Sequence, residues 1–464
     1  MTATEQQLTG APVDDRSRVA KRDKHLHQID LFRLITFGGV ILDHVLLNVV
    51  ALANVAAGGM GLLLRYTRYG FFGLTGFVLA YQYRSRELHA PTFWRRRFKL
   101  VGLPFVTWSL FYWLYGRFRR GELDDVFASA GSLAGSAKSV TYDLVTGNAW
   151  GHLYFLSVSM QIYAVFPLLL WVLRRTWGFH RYLLAASFAF QATVMLAMVR
   201  PVPAFFADGL PSALWRNLDI TLIPYQFFVV AGAMAALHFD AFTRLMVRWR
   251  ALLIVAGAAV IAVTLMYYVQ VLGRGEPMDR ATNVFMLHNV FAFISIIVIV
   301  YCLGTVWQER RTPGSGADRF LKTASDRSFG IYLAHALALD ALLPQAATWN
   351  IPTVPRVLIT YAATVALTVF IVEVLRRSPI SLITTGRERI DWRSQNSGRS
   401  MLVGAAGIAL GFVLKYGFDL WVGGVVVWTG VLLIGSAAVV ARRQRRDVPS
   451  VPDEVNGELV RSGS

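Results

Sequence analysis

Apolar windows, the longest about 24 residues, recur along this chain and are separated by short charged runs. A helix needs about 20 apolar residues to cross the hydrocarbon core of a bilayer, so each window reads as a membrane span. They fall at 31–50, 69–83, 100–115, 152–173, 182–199, 220–237, 251–272, 284–307, 328–343, 358–375, 401–414 and 420–440. The shorter ones borrow their ends from flanking residues. The pattern predicts an all-α, polytopic transmembrane bundle with about ten core spans in 29–377 and a C-terminal two-helix hairpin in 401–440. A mixed-charge cytoplasmic linker, 378–400, joins the two. Residues 1–28 and 441–464 are polar and poor in aromatics, the composition of disordered cytoplasmic tails.

Composition explains the solvent. Hydrophobic residues make up 55% of the 464, too many for a surface facing water. The net charge of +18 does not gather into one patch, so nucleic acid is not an expected partner; the basic residues sit in runs between spans. With the N-terminus inside, about 34 of the 46 Lys and Arg fall in cytoplasmic segments and about 12 outside. That bias predicts a multi-pass protein of the inner (plasma) membrane with both termini cytoplasmic. A basic leader, an apolar segment and Ala51-Leu52-Ala53 resemble a signal peptide, but Arg33, Asp43 and His44 inside the segment argue for a retained span. Cys302 is the only cysteine, which excludes a disulfide framework and a thiolate metal site, and no metal site is expected. Neither a P-loop nor a dinucleotide-binding fingerprint occurs.

Ionisable groups within a span are costly unless they are paired or face a polar cavity, so each marks a candidate functional position. Arg33 and His44 lie eleven residues apart on the first span, within about 20° of each other around the helix and about 16 Å apart along it. They line one face at two depths, Arg33 near the cytoplasmic surface. Asp30, one turn earlier, reads as a helix cap and ion partner. The Asp43-His44 pair at mid-span suggests general-base chemistry. The second span spaces Gly70, Gly73 and Gly76 for close helix approach. A basic loop follows, with Arg84, Arg86, Arg95, Arg96, Arg97 and Lys99, and Arg forks match phosphate oxygens. His152, Tyr154 and Gln161 on the fourth span, and Ser328, Tyr332 and His335 on one face of the ninth, form a second polar set near the outside. Gln226, His288, Asn289 and Asp340 add to it, and together they suggest a polar cavity opening outward. The Gly-, Ser- and Ala-rich segment 117–148 is either a cover for that cavity or a flexible connector.

Five motifs in order resemble acyltransferase family 3, integral membrane enzymes that move acetyl, succinyl or longer acyl groups onto sugars, lipids and antibiotics. They are Ile29-Asp30-Leu31-Phe32-Arg33 with His44 following after ten intervening residues; Phe71-Phe72-Gly73-Leu74-Thr75-Gly76-Phe77; Arg95-Arg96-Arg97 with Pro104; His152-Leu153-Tyr154-Phe155-Leu156; and Ser328 to His335. Thr75 and Tyr154 replace the family's Ser and Trp, and Asp43 beside His44 is unusual. The resemblance spans about 28–377. It implies that His44, with Asp43 beside it, activates an acceptor hydroxyl or relays the acyl group. It also implies that Arg33, Arg95 and Arg97 hold the phosphates of a cytoplasmic acyl-CoA, acetyl-CoA first among donors, with no permanently bound cofactor. His152, Tyr154, Gln161, Ser328, Tyr332 and His335 then surround a sugar, glycolipid or envelope-lipid acceptor. A secondary transporter or flippase is the alternative, although no inverted repeat is visible.

Overall fold

A computed structural model describes residues 25–446, which are helical and contain no strand; most of the two expected tails lies outside the described residues. In chain order the helices are α1 (His27–Val49), α2 (Val55–Leu64), α3 (Tyr66–Tyr83), α4 (Ala90–Arg97), α5 (Leu103–Arg120), α6 (Leu123–Phe127), α7 (Ala130–Thr146), α8 (Tyr154–Arg175), α9 (His180–Met198) and α10 (Gly209–Arg216). There follow α11 (Gln226–Leu237), α12 (Phe239–Arg248), α13 (Arg250–Gly273), α14 (Met278–Ala281), α15 (Leu287–Arg310), α16 (Gly316–Thr348), α17 (Thr353–Arg377), α18 (Ser381–Thr385), α19 (Ser397–Phe412) and α20 (Val422–Arg446).

Each of the twelve apolar windows coincides with a helix, but the helices are of two kinds. Eight are long and apolar enough to cross a membrane on that basis alone, and a ninth arises if 223–237 and α12, bent by 96°, are counted as one broken span. The α13 helix buries only Gly257, Thr264 and Tyr268 and exposes Leu252, Val255, Val263, Met266 and Val269. Lipid accepts such a surface and water does not. The α1, α3 and α5 helices are shorter or carry charge, as with Asp30, Arg33, Asp43 and His44 on α1. The α1 and α3 helices tolerate that charge because they are interior: α1 packs against α15, α16 and α17, and α3 against α11 and α15.

The α3–α11 contact is the closest approach near the site. A Cβ placed on Gly76 would lie 2.2 Å from the Val229 carbonyl oxygen, and one on Gly232 would lie 1.9 Å from that of Gly73. The two backbones touch only because these positions lack a side chain, as the glycine spacing predicts.

Two segments differ from simple connectors. The Gly-, Ser- and Ala-rich stretch is helix α7, opened by a reciprocal Ser129–Ser132 capping box and ended by Gly147 at φ 78°. It is tied down where Trp113 Nε1 donates to Ser139 Oγ (3.2 Å) and Ser157 Oγ donates to the Val145 carbonyl (3.0 Å). The start of 378–400 is no free tether either. Trp108 Nε1 donates to the Thr384 carbonyl at 2.8 Å, and Arg376 binds Asp326 (3.1 Å) and the Glu388 carbonyl. Gly386, at φ 64°, brings its backbone against the Leu100 carbonyl, where a Cβ would sit 2.2 Å away, and so delivers Arg387 beneath the bundle.

Candidate active site

Two cavities lie along α1, one above the other. The first, about 230 Å³, is lined by Arg33, Arg97, Arg387, Tyr163, Ser325, Asp326 and Ser328, with Phe37, Phe71, Thr75 and Phe155 at its inner end. It sits at the end of the bundle where the basic runs gather. The second, about 480 Å³, is lined by Asp43, His44, Arg65, Arg68, His152, Tyr154, Asp279 and Tyr332, again with Phe71 and Phe155. Arg33 and His44 thus serve different chambers from one helix face, as eleven residues of α-helix dictate.

The wall between the chambers is aromatic. Phe71 contacts Phe37 (4.5 Å between ring centroids) and Phe155 (5.5 Å), while Phe155 packs on Phe72 (4.7 Å) and Tyr332 (5.5 Å). The α1, α3 and α8 helices supply these rings and α16 adds Tyr332. An apolar partition of this kind offers water no hydrogen-bond partner between the chambers.

Three histidines from three elements converge at the second chamber: His44 and His152 line it, and His335 is fully buried against them. His44 lies 5.2 Å from His335 and His152 lies 4.9 Å from His335, centroid to centroid. Tyr332 donates its hydroxyl to the His152 carbonyl, which locks α16 to the turn before α8. His335 Nδ1 lies 2.6 Å from the Tyr332 carbonyl; a carbonyl only accepts, so Nδ1 carries the proton and a neutral His335 leaves Nε2 as an acceptor. That Nε2 and both ring nitrogens of His152 are buried with no hydrogen-bond partner among the described residues. Buried polar nitrogens left open toward one another are what a reacting polar group would satisfy. Asp43 lines the chamber beside His44, but its Oδ1 is likewise buried and unpartnered, and no hydrogen bond joins it to His44.

The remaining predicted residues divide. Arg97 lines the first chamber, its guanidinium donating to Gln82 Oε1 at 2.5 Å, whereas Arg95 points away and is exposed. Ser328 shares a helix face with Tyr332 and His335 but opens into the first chamber, one turn below them, and donates to the Ser325 carbonyl (2.7 Å). Gln161 lines neither chamber: it donates to the Ile220 carbonyl and accepts from the Leu222 amide, both at 2.9 Å, and so fixes a turn. Asp30 is not the α1 cap; His25 Nε2 holds it at 2.5 Å, and Leu26 occupies the cap position without a side-chain bond. His25, His27 and Asp30 bring potential ligand atoms within 4.8 Å of one another, with Asp318 3.7 Å from His27. Of the outer polar groups, Gln226 pairs with Ser187 (2.6 Å), Asn289 with the Asn283 carbonyl (2.9 Å) and Asp340 with Tyr115 (2.5 Å), while His288 meets the Tyr267 ring edge to face; none lines the His44 chamber.

Sequence reasoning missed Arg65, Arg68 and Arg387. The first two count only as outer charges in a topology sum, and the third only as part of a linker. Their position at a chamber wall depends on the α2–α3 junction and on the Gly386 turn.

A model of the family described as "Acyltransferase domain" matches residues 26–373. No curated protein and no solved structure matches the chain. The match covers three quarters of the sequence, including Arg33, His44, the Phe71–Phe155 wall, His152, Tyr332 and His335, and the chain belongs to acyltransferase family 3.

Proposed function

We propose that this membrane acyltransferase moves an acyl group, acetyl first among the alternatives, from acyl-CoA to a hydroxyl of a sugar, glycolipid or envelope lipid. The observation that carries the proposal is the stacking of a guanidinium-lined chamber and a histidine-lined chamber on α1, parted only by aromatic rings. In this reading the basic end faces the cytoplasm of a plasma-membrane protein. Arg33, Arg97 and Arg387 receive the CoA phosphates, and the thioester reaches past Phe71 and Phe155 toward His44, a span of about 16 Å along α1.

The acceptor hydroxyl enters the other chamber. A ring nitrogen of His44 takes the hydroxyl proton as the oxygen attacks the thioester carbonyl, forming the C–O bond. The C–S bond then breaks, and the proton passes to the departing CoA sulfur. His335, its Nδ1 committed to the Tyr332 carbonyl, orients the imidazole beside it. The partition keeps bulk water from competing with the acceptor for the thioester.

The test is label transfer from radiolabelled acetyl-CoA to envelope glycans and lipids by the purified protein in nanodiscs. Acceptor labelling with stoichiometric release of free CoA is expected. Movement of an acceptor across a sealed bilayer without any acyl-CoA requirement, and no labelling, would replace the proposal with transport.

A further inference from the structure

We propose that Arg65 and Arg68 form an anion subsite beside His44, so that the acceptor carries a phosphate or carboxylate close to the hydroxyl that is acylated. The inference rests on the acyl-transfer reading for the word acceptor, but the subsite itself does not.

Both arginines line the His44 chamber from the α2–α3 junction, at the end of the bundle where basic residues are scarcest. Topology therefore does not account for them. Their contacts are with neutral groups. Arg65 Nη1 donates to the Thr282 carbonyl; Arg68 Nη1 reaches the Tyr225 hydroxyl at 3.3 Å, and its guanidinium lies 4.8 Å above the Tyr154 ring. Each guanidinium has five N–H donors, so these contacts hold the groups in place and leave most of the donors unspent.

No carboxylate of the described residues comes within 4.0 Å of either arginine. Asp43 and Asp279 line the same chamber and temper its charge from a distance. Coulomb attraction rises as separation falls, so an oxyanion that docks on the guanidinium forks gains at contact what the two carboxylates gain only at range. A desolvated Arg pair inside a membrane bundle is costly, and an anionic ligand offsets that cost. The pair adjoins His44 and Tyr154, so an anion held there fixes the register of a neighbouring hydroxyl against the base.

The experiment measures binding without acyl-CoA, which separates it from the test of acyl transfer. Glucose 1-phosphate, glucuronate and methyl glucoside are titrated calorimetrically into the protein in phosphatidylcholine nanodiscs, and the titration of glucose 1-phosphate is repeated with phosphatidylglycerol in the disc. Both anionic sugars should bind at least about tenfold more tightly than methyl glucoside, and Arg65→Gln or Arg68→Gln should each remove about tenfold of that advantage. Arg68→Lys should restore part of it for the phosphate, since charge returns without the fork. Loss of sugar phosphate binding in phosphatidylglycerol discs would assign the subsite to a lipid headgroup; retention would assign it to a soluble or glycolipid anion. Melting and elution profiles report whether the variants fold. Equal affinity for all three sugars in the wild type, or an advantage unchanged in a folded Arg65→Gln, Arg68→Gln double variant, overturns the proposal. Anion-selective binding in a protein that transfers no acyl group would sink the acyl-transfer reading and leave the subsite standing.

Discussion

Gly232→Ala tests whether the α3–α11 contact positions the site. The added methyl carbon would lie 1.9 Å from the Gly73 carbonyl oxygen and 3.1 Å from the Phe77 nitrogen, both backbone atoms. No rotamer change relieves such a contact, so the helices must part by about 1.1 Å to reach the shortest separation real side chains show. Overpacking of this kind costs about 1–3 kcal/mol, and an obstruction made of backbone belongs at the upper end. The α3 helix also carries Arg68, Phe71 and Thr75, so the shift loosens the wall between the chambers. Tryptophan-fluorescence melting in detergent should show a loss of about 3 °C, with acyl transfer reduced well below the transition. Gly135→Ala on α7, where an added Cβ meets nothing within 4 Å, is the matched control and should be neutral or stabilising by about 0.5–1 kcal/mol. A Gly232→Ala protein that melts and reacts like the wild type would show that the α3–α11 contact does not position the site.

Other substitutions separate the roles of neighbouring groups. Arg97→Gln should weaken CoA binding by roughly tenfold in a calorimetric titration, whereas Arg95→Gln, on an exposed side chain, should change it by less than about twofold. Tyr332→Phe leaves the buried His152 carbonyl only the long bond from the Phe155 amide (3.4 Å) and should cost about 1 kcal/mol in thermal stability, with slower transfer and an unaltered CoA affinity. Phe71→Ala opens the partition and should raise the ratio of acetyl-CoA hydrolysed to acetyl transferred, read from free thiol release against labelled acceptor.

The helices were the most legible part of the structure, because a bilayer demands long apolar windows and charge between them. The sequence also placed Arg33 and His44 correctly on one face, since helical periodicity needs no tertiary information. It did not separate Ser328 from Tyr332: one turn of α16 carries the chain across the aromatic wall, and that wall is built from α1, α3, α8 and α16 together. Gln161 read as a chamber residue because a polar side chain in an apolar window looks alike whether it meets substrate or, as here, the backbone of a turn at Ile220 and Leu222. The α7 helix was hidden by its composition, since Gly and Ser weaken helix propensity and the deciding contacts come from Trp113 and Ser157. Arg65, Arg68 and Arg387 were invisible because their chamber positions depend on a helix junction and on a left-handed Gly386.

Single-turnover transfer by His44→Ala tests most directly whether His44 takes the acceptor proton between the two chambers. Wild-type and variant protein in nanodiscs are mixed with labelled acetyl-CoA and acceptor, and the first turnover is followed alongside CoA binding. The transfer rate should fall by about 10²–10⁴-fold with CoA affinity unchanged, since Arg33, Arg97 and Arg387 lie in the other chamber. A folded His44→Ala protein that transfers acetyl at the wild-type rate would show that His44 does not take the proton.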